Sequence, residues 1–165
     1  MKPIATVGVL LCLMHSPYAQ KAIGRPTFSD YPVHQIYQSK PSAPILSKDQ
    51  RRYRTVIREG AKSKVQFAGH YTVPVFGCGA GCGGFYIVDS ISGKVYDGFT
   101  VADSLAWIMK PGNENVLRIE FHPDSRLFRV TGCPAETNCG FYDYEMIDGA
   151  GLKLIRKKLF AKEFQ

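Results

Sequence analysis

A thiol and an imidazole close together in sequence are the parts of a nucleophile and its base, and His70 with Cys78 and Cys82 offers them. The segment His122-Pro123-Asp124-Ser125 sets histidine, aspartate and serine side by side. Triad members normally arrive from separate segments, and Pro-Asp at the centre of a turn accounts for the motif. The acids Glu120, Asp143 and Glu145 fall on two expected strands, so Glu120 with Asp143 or Glu145 could flank one glycosidic bond. Arg118, two residues before Glu120, is expected to pair with it on a solvated face. The run Gly77-Cys78-Gly79-Ala80-Gly81-Cys82-Gly83-Gly84 is as glycine-rich as a phosphate loop, but neither Lys-Ser/Thr nor a helical pattern follows it. A tight disulfide turn accounts for its glycines. No catalytic residue is assigned on these patterns, and no cofactor is expected.

Ser92-Gly93-Lys94-Val95-Tyr96 is the most suggestive short stretch. It resembles the SGxxY loop of the bacterial periplasmic lysozyme inhibitors, which are small exported β-rich proteins. In that family the loop's serine and tyrosine enter the lysozyme cleft and hydrogen-bond near the catalytic carboxylates. The resemblance therefore implies a partner-binding turn of Ser92, Gly93, Lys94 and Tyr96, with Gly93 allowing the bend. A hairpin turn uses the same residues, because Ser-Gly suits the bend and tyrosine suits the strand that follows. A longer resemblance, over most of residues 66–155, is to small exported bacterial proteins without an assigned activity. They carry FAGHY, GCGxGC, GKVY and PDSRL-like stretches. It implies a shared exported fold and brings no activity with it.

These residues need elements to hold them. Residues 20–46 contain Pro26, Pro32, Pro41 and Pro44, which rule out a long helix and predict an extended arm laid over the core. Ser47 and Gln50 then stand at the spacing of a capping box. Tyr53, Val56, Ile57, Gly60 and Ala61 follow on one helical face, with Arg51, Arg52, Arg54 and Arg58 off that stripe. This predicts an amphipathic helix over about 48–61. From Val65 the period changes to two. Strands are expected near 71–75, 85–89, 94–96, 105–109, 116–121, 126–131, 140–147 and 152–160, joined by turn chemistry. Pro74 cannot donate to a ladder, so the first of these lies at an edge or carries a bulge. The fold class is α+β and mainly β: an antiparallel meander, as a curled sheet, small barrel or partial propeller, with one N-terminal helix packed on it. The domain division is 1–19, 20–46 and 47–165.

The 165 residues, 45% of them hydrophobic, suit one core, and no apolar run is long enough to span a bilayer. Lys2, an apolar stretch over 4–14 and a helix-breaking segment ending at Ala19 read as a secretory signal cleaved before Gln20. Its removal takes one lysine and no acid from the formal +7, leaving +6. Such a charge favours anionic partners, while the absence of an arginine-rich run interleaved with aromatics argues against nucleic acid. Cys78, Cys82, Cys133 and Cys139 remain, an even count that reads as disulfides in an oxidising compartment. Three pairings exist. The local ones, Cys78 with Cys82 and Cys133 with Cys139, are expected because each brackets a turn. A four-thiolate zinc site would not use these C-x3-C and C-x5-C spacings, so no metal is expected. The expected location is periplasmic or secreted. The functional expectation is a binding protein that blocks a cell-wall hydrolase through the 92–96 turn. Its rivals are an exported hydrolase using His70 with nearby acids, and an envelope protein whose basic face touches anionic polymers.

Overall fold

Ser47 and Gln50 form the capping box that their spacing predicts. The Gln50 amide donates to Ser47 Oγ at 3.3 Å and the Ser47 amide to Gln50 Oε1 at 2.9 Å. The computed structural model describes residues 24–113, 116 and 118–165. After the box the chain makes a 3-10 turn, Asp49–Tyr53, and continues as helix α1, Arg54–Gly60. Ile57 and Ala61 are buried, Tyr53 and Val56 are half-buried, and Arg51, Arg52, Arg54 and Arg58 face outward, as the stripe predicts. The expected leader over 1–19, and its cleavage site, lie outside the described residues.

Eight antiparallel strands form one open sheet. They are β1 (Tyr71–Thr72), β2 (Val75–Gly79), β3 (Cys82–Asp89), β4 (Val95–Ala102), β5 (Ile119–Phe121), β6 (Leu127–Pro134), β7 (Gly140–Ile147) and β8 (Gly151–Leu159). The order is β1-β3-β4-β6-β7-β8, with β2 on β3 and β5 on β6. β1 and β2 share one edge of β3 in succession. Pro74 stands in the gap between them, where its missing N–H interrupts the ladder. β4 and β5 divide one edge of β6 in the same way.

β3 is buried on both faces, because its alternate residues point to opposite sides. Phe85 and Ile87 enter a core with Phe67, Tyr71, Val101, Phe128, Val130 and Met146. Tyr86 and Val88 meet Ile57 and Ala61 on the side covered by α1. A third cluster joins the Cys133–Cys139 disulfide to Phe160, Trp107, Phe141 and Phe164.

The apolar run at 105–109 departs from the expected strand. It is a short helix, α2 (Leu105–Ile108). A run this short cannot be assigned by periodicity. Ser104 decides it: its hydroxyl accepts from the Trp107 amide at 3.4 Å and donates to the Phe164 carbonyl at 2.6 Å. The helix lets Trp107 stack on Phe160, ring centroids 4.6 Å apart.

The arm is extended, as its prolines predict, with a 3-10 turn at Phe28–Asp30. It is fastened along its length, and three of the contacts mark its course. Phe28 stacks on His122 with centroids 3.8 Å apart, Tyr37 donates its amide to Gly69 at 2.7 Å, and Ile45 donates its amide to Gly93 at 2.8 Å.

Candidate functional site at one end of the sheet

Asp89, the last residue of β3, organises the turn that follows. Its Oδ1 accepts from the amides of Ile91 at 2.8 Å and Ser92 at 3.3 Å, and its Oδ2 accepts the Ser92 hydroxyl at 2.5 Å. Ser92 Oγ in turn accepts from the Lys94 amide at 3.2 Å. Gly93 is buried with φ +77°, and a Cβ there would collide with the Ala43 carbonyl of the arm. The arm seals the turn from outside: Ser42 donates its amide to Ser90 O at 2.8 Å and its hydroxyl to Ile91 O at 2.6 Å. Ser92 and Lys94 stay exposed on this fixed backbone.

The β7–β8 turn meets the same end of the sheet. Lys94 Nζ donates to Gly149 O at 2.7 Å and lies 4.5 Å from the centroid of Tyr96. Tyr96 itself is half-buried, edge-on to Tyr71 with centroids 6.1 Å apart. Tyr71 donates its hydroxyl to Asp148 Oδ1 at 2.9 Å. Burial, reinforced by that hydrogen bond, pushes the Tyr71 phenol far above its ordinary value, so it stays a neutral donor. His70 completes the group. Its Nε2 stands 3.9 Å from Asp89 Oδ1 and 3.9 Å from Asp148 Oδ1, beyond hydrogen-bond length from either.

Tertiary structure therefore gathers His70 and the 92–96 turn, which are separate in sequence, around two acids that sequence reasoning passed over. The signals were present. Asp three residues before Ser92 is an Asx-turn pattern, and Asp148 opens a Gly-rich turn. What the cluster lacks is a nucleophile bonded to a base. The Ser92 hydroxyl is directed at Asp89 rather than His70. Its chemistry is that of an exposed ammonium with donors to spare beside a hydroxyl oxygen that can accept, both on a rigid turn.

The other sequence candidates are placed elsewhere. Cys78 is bonded to Cys82, and Cys133 to Cys139. The first pair closes the β2–β3 hairpin at the opposite end of β3 from Asp89, about 23 Å away at roughly 3.3 Å per residue, so it is no partner for His70. The glycine-rich run is that hairpin. Glu120, Arg129 and Asp143 stand in register across β5, β6 and β7. The acids converge, but on Arg129, at 3.6 Å and 3.5 Å, rather than on an open cleft. Glu145 pairs with Arg126 at 3.1 Å. Arg118 does not pair with Glu120. It forks onto Asp103 at 2.8 Å and 2.5 Å, a hydrogen-bonded pair that holds the guanidinium more firmly protonated. The strand register turns Glu120 toward Arg129 and leaves Arg118, before β5, beside the β4 terminus.

Two stretches far apart in sequence, FAGHY and HPDSRL, form a joint of the fold. Ala68 and Gly69 donate their amides to His122, Ser125 and Pro123 carbonyls, so FAGHY locks onto HPDSRL. Ser125 is buried and donates its hydroxyl to Phe28 O at 2.7 Å.

No protein-family model, curated protein or solved structure matches this chain. The site is therefore read from its own geometry. Among the described residues no group of three or more His, Cys, Asp or Glu is arranged to hold a metal ion, and no helix is long and apolar enough to cross a membrane.

Proposed function

We propose that this chain is an exported binding protein that blocks a cell-wall hydrolase, and that the end of the sheet carrying Ser92 and Lys94 is its contact surface. The observation that carries the reading is the turn at 90–93. It is held from within by the Asp89 carboxylate and from without by the arm, while Ser92 and Lys94 remain exposed. A turn ordered before binding loses little entropy on association. The Lys94 ammonium keeps donors beyond the one given to Gly149 O, which suit the paired carboxylates of a glycan-cleaving cleft, while Ser92 Oγ, its hydrogen held by Asp89, can accept from a partner's N–H or O–H. Tyr96 serves by supporting Lys94 from below, and Gly93 by letting the arm close over the bend. The two disulfides are those of a chain that folds in an oxidising compartment. The positive net charge favours a neutral or acidic hydrolase over a basic one.

The test is the clearing of cell-wall suspensions by acidic, neutral and basic wall hydrolases, with and without the mature protein. The expected result is slowed clearing by at least one neutral or acidic enzyme, relieved tenfold or more by Ser92→Ala with Lys94→Ala. If no enzyme is slowed, or the double variant inhibits as well as the parent, the reading fails. A second reading rests on His70 standing between Asp89 and Asp148. In it the chain is itself a hydrolase. Release of new reducing ends from wall glycan by the parent, and its loss in His70→Asn, would favour that alternative.

A further inference from the structure

The chain has nine arginines, and they fall into two groups. Arg25, Arg118, Arg126, Arg129 and Arg156 each pair with a carboxylate. Arg51, Arg52, Arg54 and Arg58, on the 3-10 turn and α1, are exposed, and among the described residues none of them pairs with an acid. Residues 48–64 hold seven cations and two acids, so this one segment has +5 of the chain's formal +7. β8 is also basic, with Lys153, Arg156, Lys157 and Lys158, but there Arg156 is paired with Asp143. The arginines of 51–58, without acid partners among the described residues, lie together on the side away from the sheet.

That element also borders a trough. Pro44 and Leu46 of the arm form its apolar floor, and Arg51, Arg54 and Arg58 line the helix side, enclosing about 400 Å³. A second groove of about 540 Å³ continues it past Pro44 and Arg58 to Lys40, and on its wall Glu59 holds Lys62 at 2.8 Å. From Arg51 to Gly60 the run is about 15 Å, at roughly 2 Å per residue to Arg54 and 1.5 Å per residue along α1. A trough of that length takes an oligomer rather than a single ion.

We infer that this trough binds a linear acidic polysaccharide. Guanidinium groups match carboxylate and sulfate oxygens through paired N–H donors, and three in a row suit a chain with repeated charges. The apolar floor accepts the C–H faces of sugar rings. A bilayer surface would require a plane of cations, whereas these stand in a row along a trough floored by the arm. A single-stranded nucleic acid would require aromatic platforms for its bases, and neither groove is lined by an aromatic side chain. The inference is independent of the turn at 90–93, and substitution of Ser92 leaves it intact.

The experiment is titration of the mature protein with size-defined heparin and galacturonate oligosaccharides, by calorimetry at several salt concentrations between about 50 and 200 mM. Neutral dextran is the blank, and anionic phospholipid vesicles and an oligothymidylate are competitors. Binding to the acidic oligosaccharides should weaken as salt rises. The triple variant Arg51→Gln, Arg54→Gln, Arg58→Gln should lose tenfold or more in affinity, with the log–log salt slope shallower by about 3, one unit for each cation removed. Lys153→Gln, Lys157→Gln, Lys158→Gln removes equal charge from β8 and should stay within about twofold of the parent. Equal losses in both triple variants would reduce the effect to net charge and overturn the inference. So would an absence of binding, or tighter binding to vesicles or oligothymidylate than to either oligosaccharide. Hydrogen exchange on the unmodified protein gives a reading that no variant's folding can confuse. The oligosaccharide should slow exchange over 49–62 and leave 140–159 unchanged, and the opposite pattern would also overturn it.

Discussion

Ser92 Oγ lies 2.5 Å from Asp89 Oδ2, with the hydroxyl hydrogen directed at the carboxylate and the serine oxygen facing the Lys94 amide. One acid thus orders three consecutive donors of an exposed turn. Asp89→Ala should cost about 1–2 kcal/mol, since several hydrogen bonds to a charged acceptor are lost at once. It should also speed amide exchange at Ile91 and Ser92 tenfold or more. Unchanged exchange at those two amides would mean that the arm alone holds the turn.

The carboxylate of Asp143 is 0% exposed and faces Arg156 at 3.1 Å, Arg25 at 3.5 Å and Arg129 at 3.5 Å. Arg129 is in turn covered by the ring of Phe28, 4.5 Å away, and donates to Pro26 O. Removing the acid leaves three crowded guanidinium groups with Glu120, 3.6 Å from Arg129, as their remaining counterion among the described residues. Asp143→Ala should therefore lower stability by about 3–5 kcal/mol in urea unfolding and expose the arm near 26–32 to protease. A loss below about 1 kcal/mol would show that water replaces the acid freely.

Ile57 is wholly buried against Ala61 and Val88, where α1 meets the back of β3. Ile57→Ala should cost about 2–4 kcal/mol through lost burial and the cavity left behind. Val56→Ala, at a half-buried site, should cost less. Equal midpoints for parent and Ile57→Ala would mean that the helix is not docked.

Burial raises the phenols of Tyr71 and Tyr144, Tyr144 to about 12 from its ordinary 10.0. Below pH ~10 both phenols are protonated whether the chain is folded or not, and stability is at its full value. Above that pH the unfolded chain releases protons that the folded chain keeps, so stability falls as pH rises. Each phenol contributes a slope of up to about 1.4 kcal/mol per pH unit. Tyr144→Phe should flatten the decline measured between pH 10 and 12. A decline as steep as the parent's would assign the alkaline sensitivity to other groups.

The disulfides close loops of four and six residues. Folded protein should take up no alkylating label at Cys78, Cys82, Cys133 or Cys139 without reductant. Replacing Cys133 and Cys139 with serine should cost about 2 kcal/mol by the chain-entropy relation. Labelling of the native protein at all four thiols would contradict the pairing.

Local physics explains what was legible in the sequence. The capping box of Ser47 and Gln50, the buried stripe ending at Ile57 and Ala61, the ladder break at Pro74 and the two short-range disulfides all depend on residues a few positions apart. The order of strands and turns follows from the same patterns, and a mainly antiparallel sheet with one docked helix is what they form. The short run at 105–109 changed type, because five apolar residues carry no period and Ser104 bonds to Phe164 from far along the chain. Tertiary structure alone decided the pairings of charge and the composition of the site. Arg118 reaches Asp103, Arg129 lies between Glu120 and Asp143, and Lys94 reaches Gly149 across 55 positions. His70 comes to Asp89, which also holds Ser92, and to Asp148 only because β1 pairs with the end of β3 and the β7–β8 turn folds onto the same end. Such contacts are set by register and topology. A list of residue types holds neither, so the sequence named His70 and Ser92 as separate candidates and the fold set both beside Asp89.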